Sequence, residues 1–337
     1  MRVINRQITL AARPVGLPKV SDFHLVYSPL PSPAGGEVLV RAVYLSLDRG
    51  LRERMSDAGT EAGTIGIGEV VSGGAVAFVV ESLDPTFRTG DTIEGALGWQ
   101  EFAVVPGREL RKIDPTLAPI STALGVLGLP GLTAFFGLLD IADPQPGETV
   151  VVSEAAGSVG MIVGQIAKIK GCRVVGVTAS DALTSWLIDE LGFDAAFNCK
   201  TVADCARALE ESCPAGIDIY FDSEGGTVTD SVMQLINPRA RISVCGQISS
   251  YNLTEPETGP RWLGQLIVNH AAVQGFRISS FAERFPEGLE QLAAWLRQGK
   301  LKYREDIAHG IEAAPQAFIR MLRGRSRGTQ LVRLSEL

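Results

Sequence analysis

The chain has 337 residues, 45% of them apolar and 37 of them glycine, a size and composition that suit two α/β domains. A formal net charge of −7 and an isoelectric point near 5.2 argue against nucleic acid as a partner. No apolar run is long enough to span a bilayer, the N-terminal segment has no apolar signal core, and the five cysteines are scattered and odd in number, so a reduced, cytoplasmic protein without membrane partners is expected.

Residues 1–124 read as a domain of short β signals separated by Gly, Pro and Asp turns. Strands are predicted at Glu37–Leu45, Gly68–Val71, Thr92–Ile93 and Glu101–Val105. Residues 125–285 alternate strands with helices. Thr149–Ser153 is a β-branched run of the kind buried on both faces of a sheet. Ala155-x-Gly157-x-x-Gly160 follows it and fills the dinucleotide fingerprint, with alanine in the first glycine's place. Gly157 lets backbone approach a pyrophosphate, and Gly160 lets a helix pack close on its strand.

The helix predicted after this turn has apolar residues at Val159, Ile162, Val163, Ile166 and Ile169, and its first N–H groups face the phosphates. A second strand, Arg173–Thr178, completes a βαβ unit. Further elements are predicted as a helix at Leu183–Leu191, a strand at Ala195–Asn198, a helix at Val202–Glu210, a strand at Ile217–Asp222, a helix at Val228–Leu235 and a strand at Arg241–Cys245. This alternation predicts a doubly wound parallel sheet. The tail, 286–337, carries helical signals near Gly288–Gln298 and Ala314–Leu322 and a strand near Gln330–Leu334.

Several segments together carry a resemblance. They include Asn5-Arg-Gln-Ile8, Arg13-Pro-Val-Gly16, Leu45-Ser-Leu-Asp48, Gly128-Leu-Pro-Gly-Leu-Thr-Ala134, Ala155–Gly160, Gly164-Gln-Ile-Ala-Lys168 and Cys245-Gly-Gln-Ile-Ser-Ser-Tyr-Asn252. The whole chain resembles the medium-chain dehydrogenase/reductase superfamily, and within it the zinc-free alkenal/one oxidoreductases: prostaglandin reductases, plant double-bond reductases and curcumin-reductase-like enzymes. The resemblance implies a GroES-like β domain, completed by the C-terminal tail, around a Rossmann domain of 125–285, with the active site in the cleft between them. It also implies a homodimer.

The N-terminal domain contains no cysteine and a single histidine, His24. Where zinc alcohol dehydrogenases have Gly-His-Glu, this chain has Gly66-Ile67-Gly68-Glu69. A catalytic zinc needs a set of Cys, His and carboxylate ligands, so the sequence argues for zinc-independent chemistry with no metal. The resemblance implies NADPH-dependent reduction of the C=C bond of α,β-unsaturated aldehydes or ketones. Hydride reaches the carbon β to the carbonyl, charge develops on the oxygen as an enolate, and a proton follows. Tyr251 falls where a phenol assists that enolate, although a wall tyrosine without chemical role fits the same position. The alternatives are reduction of a quinone or an enoyl thioester within the same superfamily, and a non-catalytic NADPH-binding protein.

Cofactor residues carry over one by one from the resemblance. Ala155, Gly157, Ser158, Val159 and Gly160 hold the pyrophosphate. Thr133 lies near the nicotinamide end; Ser223, Cys245, Gly246, Ile248, Ser249 and Tyr251 line ring and ribose; Phe276 and Ile278 close the pocket. At the end of the second strand Thr178 stands where NAD enzymes have an acid, which favours NADP over NAD. The family's 2′-phosphate contacts are altered to Leu183, Cys199, Ser326 and Thr329, so weaker discrimination for NADP than is usual in the group is expected, with Ser180, Lys200 or a C-terminal arginine as the candidates for compensation. Asp181 is an alternative that would support NAD. The substrate side departs furthest: Asp48-Arg49-Gly50-Leu51-Arg52 replaces Asp-Pro-Tyr-Met-Arg, so Asp48 and Gly50 border a wider pocket. Arg277 either anchors an acidic substrate there or points to solvent. Glu154, an acid beside the pyrophosphate turn, is expected to point away.

Overall fold

The computed structural model describes residues 4–57 and 63–335. Two compact units divide at Leu124/Gly125 and again at Arg304/Glu305. The second crossing falls after Arg304 rather than at 285. The helix before it explains the difference: Leu292 and Trp295 are buried in the core of the second unit.

The first unit is built from strands β1 (Ile4–Leu10), β2 (Phe23–Pro29), β3 (Glu37–Ser46), β4 (Ala75–Ser82), β5 (Thr92–Gly95), β6 (Phe102–Pro106) and β7 (Arg111–Lys112), with the one-turn helix α1 (Leu51–Arg54). β1 and β2 form an antiparallel pair. The predicted strand at Gly68–Val71 is irregular, with only an isolated bridge between Val70 and Thr9. Conversely, β1, β2 and β4 are strands that the pattern of short β signals did not single out. From the far end of the chain come β14 (Glu305–His309), α9 (Ala314–Leu322) and β15 (Thr329–Arg333). β15 pairs antiparallel with β3, Leu331 opposite Ser46, so the C-terminal strands complete this unit's sheet in the order β14-β15-β3-β4-β5-β7, with β6 also on β3. Its core gathers Phe23, Trp99 and Phe318, with Phe23 and Trp99 stacked at 5.8 Å and Trp99 edge-on to Phe318 at 5.6 Å.

The second unit has strands β8 (Thr149–Val152), β9 (Arg173–Thr178), β10 (Ala195–Asn198), β11 (Ile217–Asp222), β12 (Ile236–Val244) and β13 (Ala272–Gly275). The helices are α2 (Leu129–Phe136), α3 (Gly160–Ile169), α4 (Asp181–Asp189), α5 (Cys205–Ser212), α6 (Gly226–Val232), α7 (Leu263–Asn269) and α8 (Phe285–Arg297). All pairings in this sheet are parallel, in the order β10-β9-β8-β11-β12-β13. That is the doubly wound order in which the chain reverses direction between its first and fourth strands, here β8 and β11. β8 is buried throughout, as its β-branched run requires. Ile162, Val163 and Ile166 of α3 are fully buried against it, and Val159 and Ile169 flank them half-buried. α5 starts at Cys205 rather than Val202, because the Asp204 carboxylate caps it, accepting from the N–H groups of Ala206 (2.9 Å) and Arg207 (3.2 Å). Among the described residues no helix is long and apolar enough to cross a membrane.

Candidate active site

In an open parallel sheet, ligands bind beyond the carboxyl ends of the strands where the strand order reverses. The nucleotide-side residues expected from the sequence gather there. The glycine turn follows β8, Thr178 ends β9, Lys200 follows β10, Ser223 follows β11, Cys245 and Gly246 follow β12, and Phe276 and Ile278 follow β13. The reversal itself is fastened by a hydrogen bond from Ser223 N–H to the buried Ser153 Oγ at 2.9 Å, which ties the end of β11 to the end of β8.

The glycine turn is closed by Gly157 N–H donating to the Glu154 carbonyl at 2.8 Å and by Ala155 N–H donating to the Val177 carbonyl at 3.0 Å. A Cβ on Gly160 would lie 2.4 Å from the Glu154 carbonyl and 2.8 Å from Ala155 Cα, so only glycine lets α3 start this close to β8. A Cβ on Gly157 would sit tightly against the turn, 3.1 Å from the Glu154 carbonyl. Ser158 and Val159 complete the turn ahead of α3. The Glu154 side chain does not point away: its Oε2 lies 2.5 Å from that Gly157 Cβ position. Its backbone is left-handed, φ 50°.

At the end of β9 no acid replaces Thr178, which is buried. Asp181 is engaged otherwise. Its Oδ1 accepts from Asn198 Nδ2 and from Thr201 Oγ1, both at 3.0 Å, and so ties the start of α4 to the loop after β10. Two of the residues that replace the expected 2′-phosphate contacts serve packing instead. Leu183 is buried in the main core of this unit, and Cys199 packs against a second apolar cluster. Lys200 stays exposed, its N–H donating to Asn198 Oδ1 at 3.0 Å, while Ser180 precedes α4 as its N-cap.

The far side of the reversal is organised by residues that sequence reasoning passed over. Asp222, at the end of β11, is buried and its carboxylate accepts five hydrogen bonds. Oδ1 takes Tyr220 Oη (3.0 Å), Glu224 N–H (3.0 Å) and Gly225 N–H (2.8 Å). Oδ2 takes Thr229 Oγ1 (2.8 Å) and Gln247 Nε2 (3.1 Å). Burial and the Asp222 charge hold the Tyr220 phenol well above its ordinary pKa, so it acts as a donor and not as an acid. Gly225, at φ 75°, turns the loop back so tightly that a Cβ would lie 2.3 Å from Gln247 Oε1. The available signal was a buried-strand aspartate followed by Gly225-Gly226.

This clamp presents the segment after β12. Tyr251 follows a single 3₁₀ turn of Ile248, Ser249 and Ser250, and its hydroxyl folds back over Gly246, 3.3 Å from where a Cβ would stand. The phenol oxygen accepts from Gln247 N–H at a long 3.5 Å. Burial pushes the Cys245 thiol up to about 12, which keeps it protonated. Ser223 Oγ is buried beside that sulfur, at best a weak acceptor, with no stronger hydrogen-bond partner among the described residues. A dinucleotide fits these observations: a glycine cradle shaped for a pyrophosphate, and a polar atom awaiting a partner at the other end of the row. Thr133 is half-buried on α2 of the same unit, whereas Arg277 is exposed just after β13.

Asp48, Gly50 and Ser326 belong to the first unit. Asp48 accepts from Ser46 Oγ at 2.9 Å. A Cβ on Gly50, at the start of α1, would meet nothing within 4 Å. Ser326 is buried in the loop between α9 and β15. The segments around Asp48 and Arg13 are tied together by an unforeseen arginine. Buried Arg52 donates to the carbonyls of Pro14 (3.1 Å) and Gly16 (3.0 and 3.2 Å), and burial lowers its pKa. Among the described residues, no group of three or more His, Cys, Asp or Glu is placed to hold a metal ion.

Comparison with known proteins agrees with this architecture. Residues 6–113 match a family model described as the N-terminal domain of oxidoreductase, and residues 158–294 match one described as zinc-binding dehydrogenase. The chain is 48% identical to a putative NADP-dependent oxidoreductase, YfmJ, of Bacillus subtilis, over 100% of this chain and 99% of that protein. It is 42% identical to the NADPH-dependent curcumin reductase of Escherichia coli, over 98% and 97% of the two chains. The crystal structure of CurA from Vibrio vulnificus in complex with NADPH superposes with a TM-score of 0.94 at 44% identity, covering 98% of this chain and all of that one.

Proposed function

Given that the chain belongs to the zinc-free medium-chain dehydrogenase/reductase group that holds the curcumin, alkenal and prostaglandin reductases, we propose that it reduces the C=C bond of α,β-unsaturated aldehydes and ketones, with Tyr251 assisting the enolate. Its broader class is that of its relatives, an NADP-dependent oxidoreductase acting on C=C bonds. NADPH bound across the carboxyl ends of the sheet supplies the hydride.

The chain's own residues do the rest. Ala155, Gly157 and Gly160 with Ser158 and Val159 hold the pyrophosphate at the start of α3. Ser180 and Lys200 face the 2′-phosphate, and Thr133, Ser223, Cys245, Gly246, Ile248, Ser249, Phe276 and Ile278 position ribose and nicotinamide. Ser326 contributes from the C-terminal segment, while Asp48, Gly50 and Arg277 border the substrate. The mechanistic reading is carried by the Tyr251 hydroxyl lying over Gly246 while accepting from Gln247 N–H. Accepting that bond makes the phenol a better donor to an oxygen that gains charge as hydride arrives.

The active species is proposed to be a cytoplasmic homodimer. The edge strand β13 is exposed along its length, and α7 beside it exposes Leu263, Ile267 and Val268.

The test is loss of absorbance at the reduced-nicotinamide band, with NADPH and NADH in parallel, against short alkenals, aryl enones, quinones and enoyl thioesters. Turnover of enals and enones with NADPH supports the reading. Turnover confined to quinones or enoyl thioesters replaces it, and tight NADPH binding without turnover points to a non-catalytic role. Light scattering of the purified protein gives the oligomeric state.

A further inference from the structure

The glycine turn carries an acid on the surface that a pyrophosphate has to reach. Glu154 leaves β8 in the left-handed conformation, φ 50°, which side-chain-bearing residues adopt rarely. Its backbone is indispensable to the turn, because its carbonyl accepts from Gly157 N–H at 2.8 Å and lies against Gly160. Its side chain folds forward so that Oε2 sits 2.5 Å from the place of a Gly157 Cβ. That place is empty in the fingerprint so that a pyrophosphate can approach the backbone. The neighbouring helix α3, ten residues long, starts at Gly160, and a carboxylate at its N-terminus is favoured by the helix dipole. The turn therefore holds an anion of its own where the cofactor's anion belongs, and the two repel.

We propose that Glu154 is an internal competitor for the cofactor's pyrophosphate: its carboxylate covers the glycine turn in the cofactor-free protein and swings out when NADP(H) binds, setting cofactor affinity below what the turn itself allows. The proposal rests on the cofactor lying at the glycine turn. Only side-chain rotation is required, since the backbone on either side is held by the bonds of Ala155 to Val177 and of Gly157 to Glu154. Because NADPH and NADH share the pyrophosphate, the effect is common to both.

The experiment is direct titration of wild type, Glu154→Gln and Glu154→Ala with NADPH and with NADH, followed by nicotinamide fluorescence, together with thermal unfolding of each protein without cofactor. Both variants are expected to bind both cofactors tighter, about tenfold and by the same factor. Both cofactor-free variants should also melt slightly lower, having lost the anion at the start of α3. Unchanged or weaker binding in the variants overturns the proposal and leaves Glu154 a purely structural helix-end charge. A gain confined to NADPH also overturns it, because it would place Glu154 beside the 2′-phosphate. Wild type that fails to bind NADPH at all refutes the cofactor's placement instead. Alanine tolerates φ 50° no better than glutamate, so relief of backbone strain cannot mimic the result.

Discussion

Gln247 donates through Nε2 to Asp222 Oδ2 at 3.1 Å, and this bond joins the end of β11 to the segment that carries Tyr251. Neither residue belongs to the row expected to touch cofactor, yet the pair sets where that row stands. Replacing the Asp222 carboxylate by an amide removes the charge from five hydrogen bonds and turns one oxygen into a donor facing donors. Asp222→Asn is expected to lose about 3 kcal/mol of stability, read by urea unfolding. It should also lower kcat more than it raises KM for NADPH. Wild-type stability in the variant would remove the clamp from the account.

Tyr251→Phe keeps the ring and removes only the hydroxyl that lies over Gly246. With the enolate reading, kcat on enones falls ~10–100-fold. NADPH affinity and melting temperature should stay at wild-type values. An unchanged kcat would make Tyr251 a wall residue.

Gly50 faces open space, so a side chain there is accommodated by the first unit itself. Gly50→Tyr should therefore fold normally and impair bulky aryl enones more than short alkenals. Equal losses on both substrates would show that Gly50 does not border the pocket.

Arg241 forms a two-pronged ion pair with Glu148, Nη1 to Oε1 and Nη2 to Oε2 at 2.7 Å each, and also donates to the carbonyls of Ala142 (2.8 Å) and Asp143 (2.9 Å). Partial burial would raise the Glu148 carboxyl, but the bonds to Arg241 outweigh it and hold its pKa below the ordinary value. A carboxyl depressed on folding stabilises the protein above its unfolded-state pKa, and that contribution fades as pH falls through its folded-state pKa. Glu148→Gln should thus cost about 1–3 kcal/mol at neutral pH. The gap to wild type should narrow as the solution is acidified below the carboxylate range, measured by urea unfolding at several pH values. A gap independent of pH would assign the loss to packing.

Local chemistry was legible in the residues. The β-branched run before Ala155-x-Gly157-x-x-Gly160 announced a buried strand and a tight glycine turn, and the alternation that follows placed β10, β11 and α9 at Ala195–Asn198, Ile217–Asp222 and Ala314–Leu322. Those signals are periods and steric exceptions, and each is written within a few residues of its effect. The segments that match the family's pattern likewise picked out residues that the fold gathers beyond the carboxyl ends of the parallel strands.

Tertiary structure alone decided who meets whom. The pairing of β15 with β3, the strand order that sets the reversal between β8 and β11, the grip of Arg52 on Pro14 and Gly16, and the bond from Gln247 to Asp222 all join groups far apart in the chain. Hydrophobic periodicity tells a segment which face to bury, but it does not name the donor that will satisfy a buried carboxylate. The side-chain direction of Glu154 was open for the same reason: it depends on a left-handed backbone and on the empty place beside Gly157, which exist only once the turn has closed.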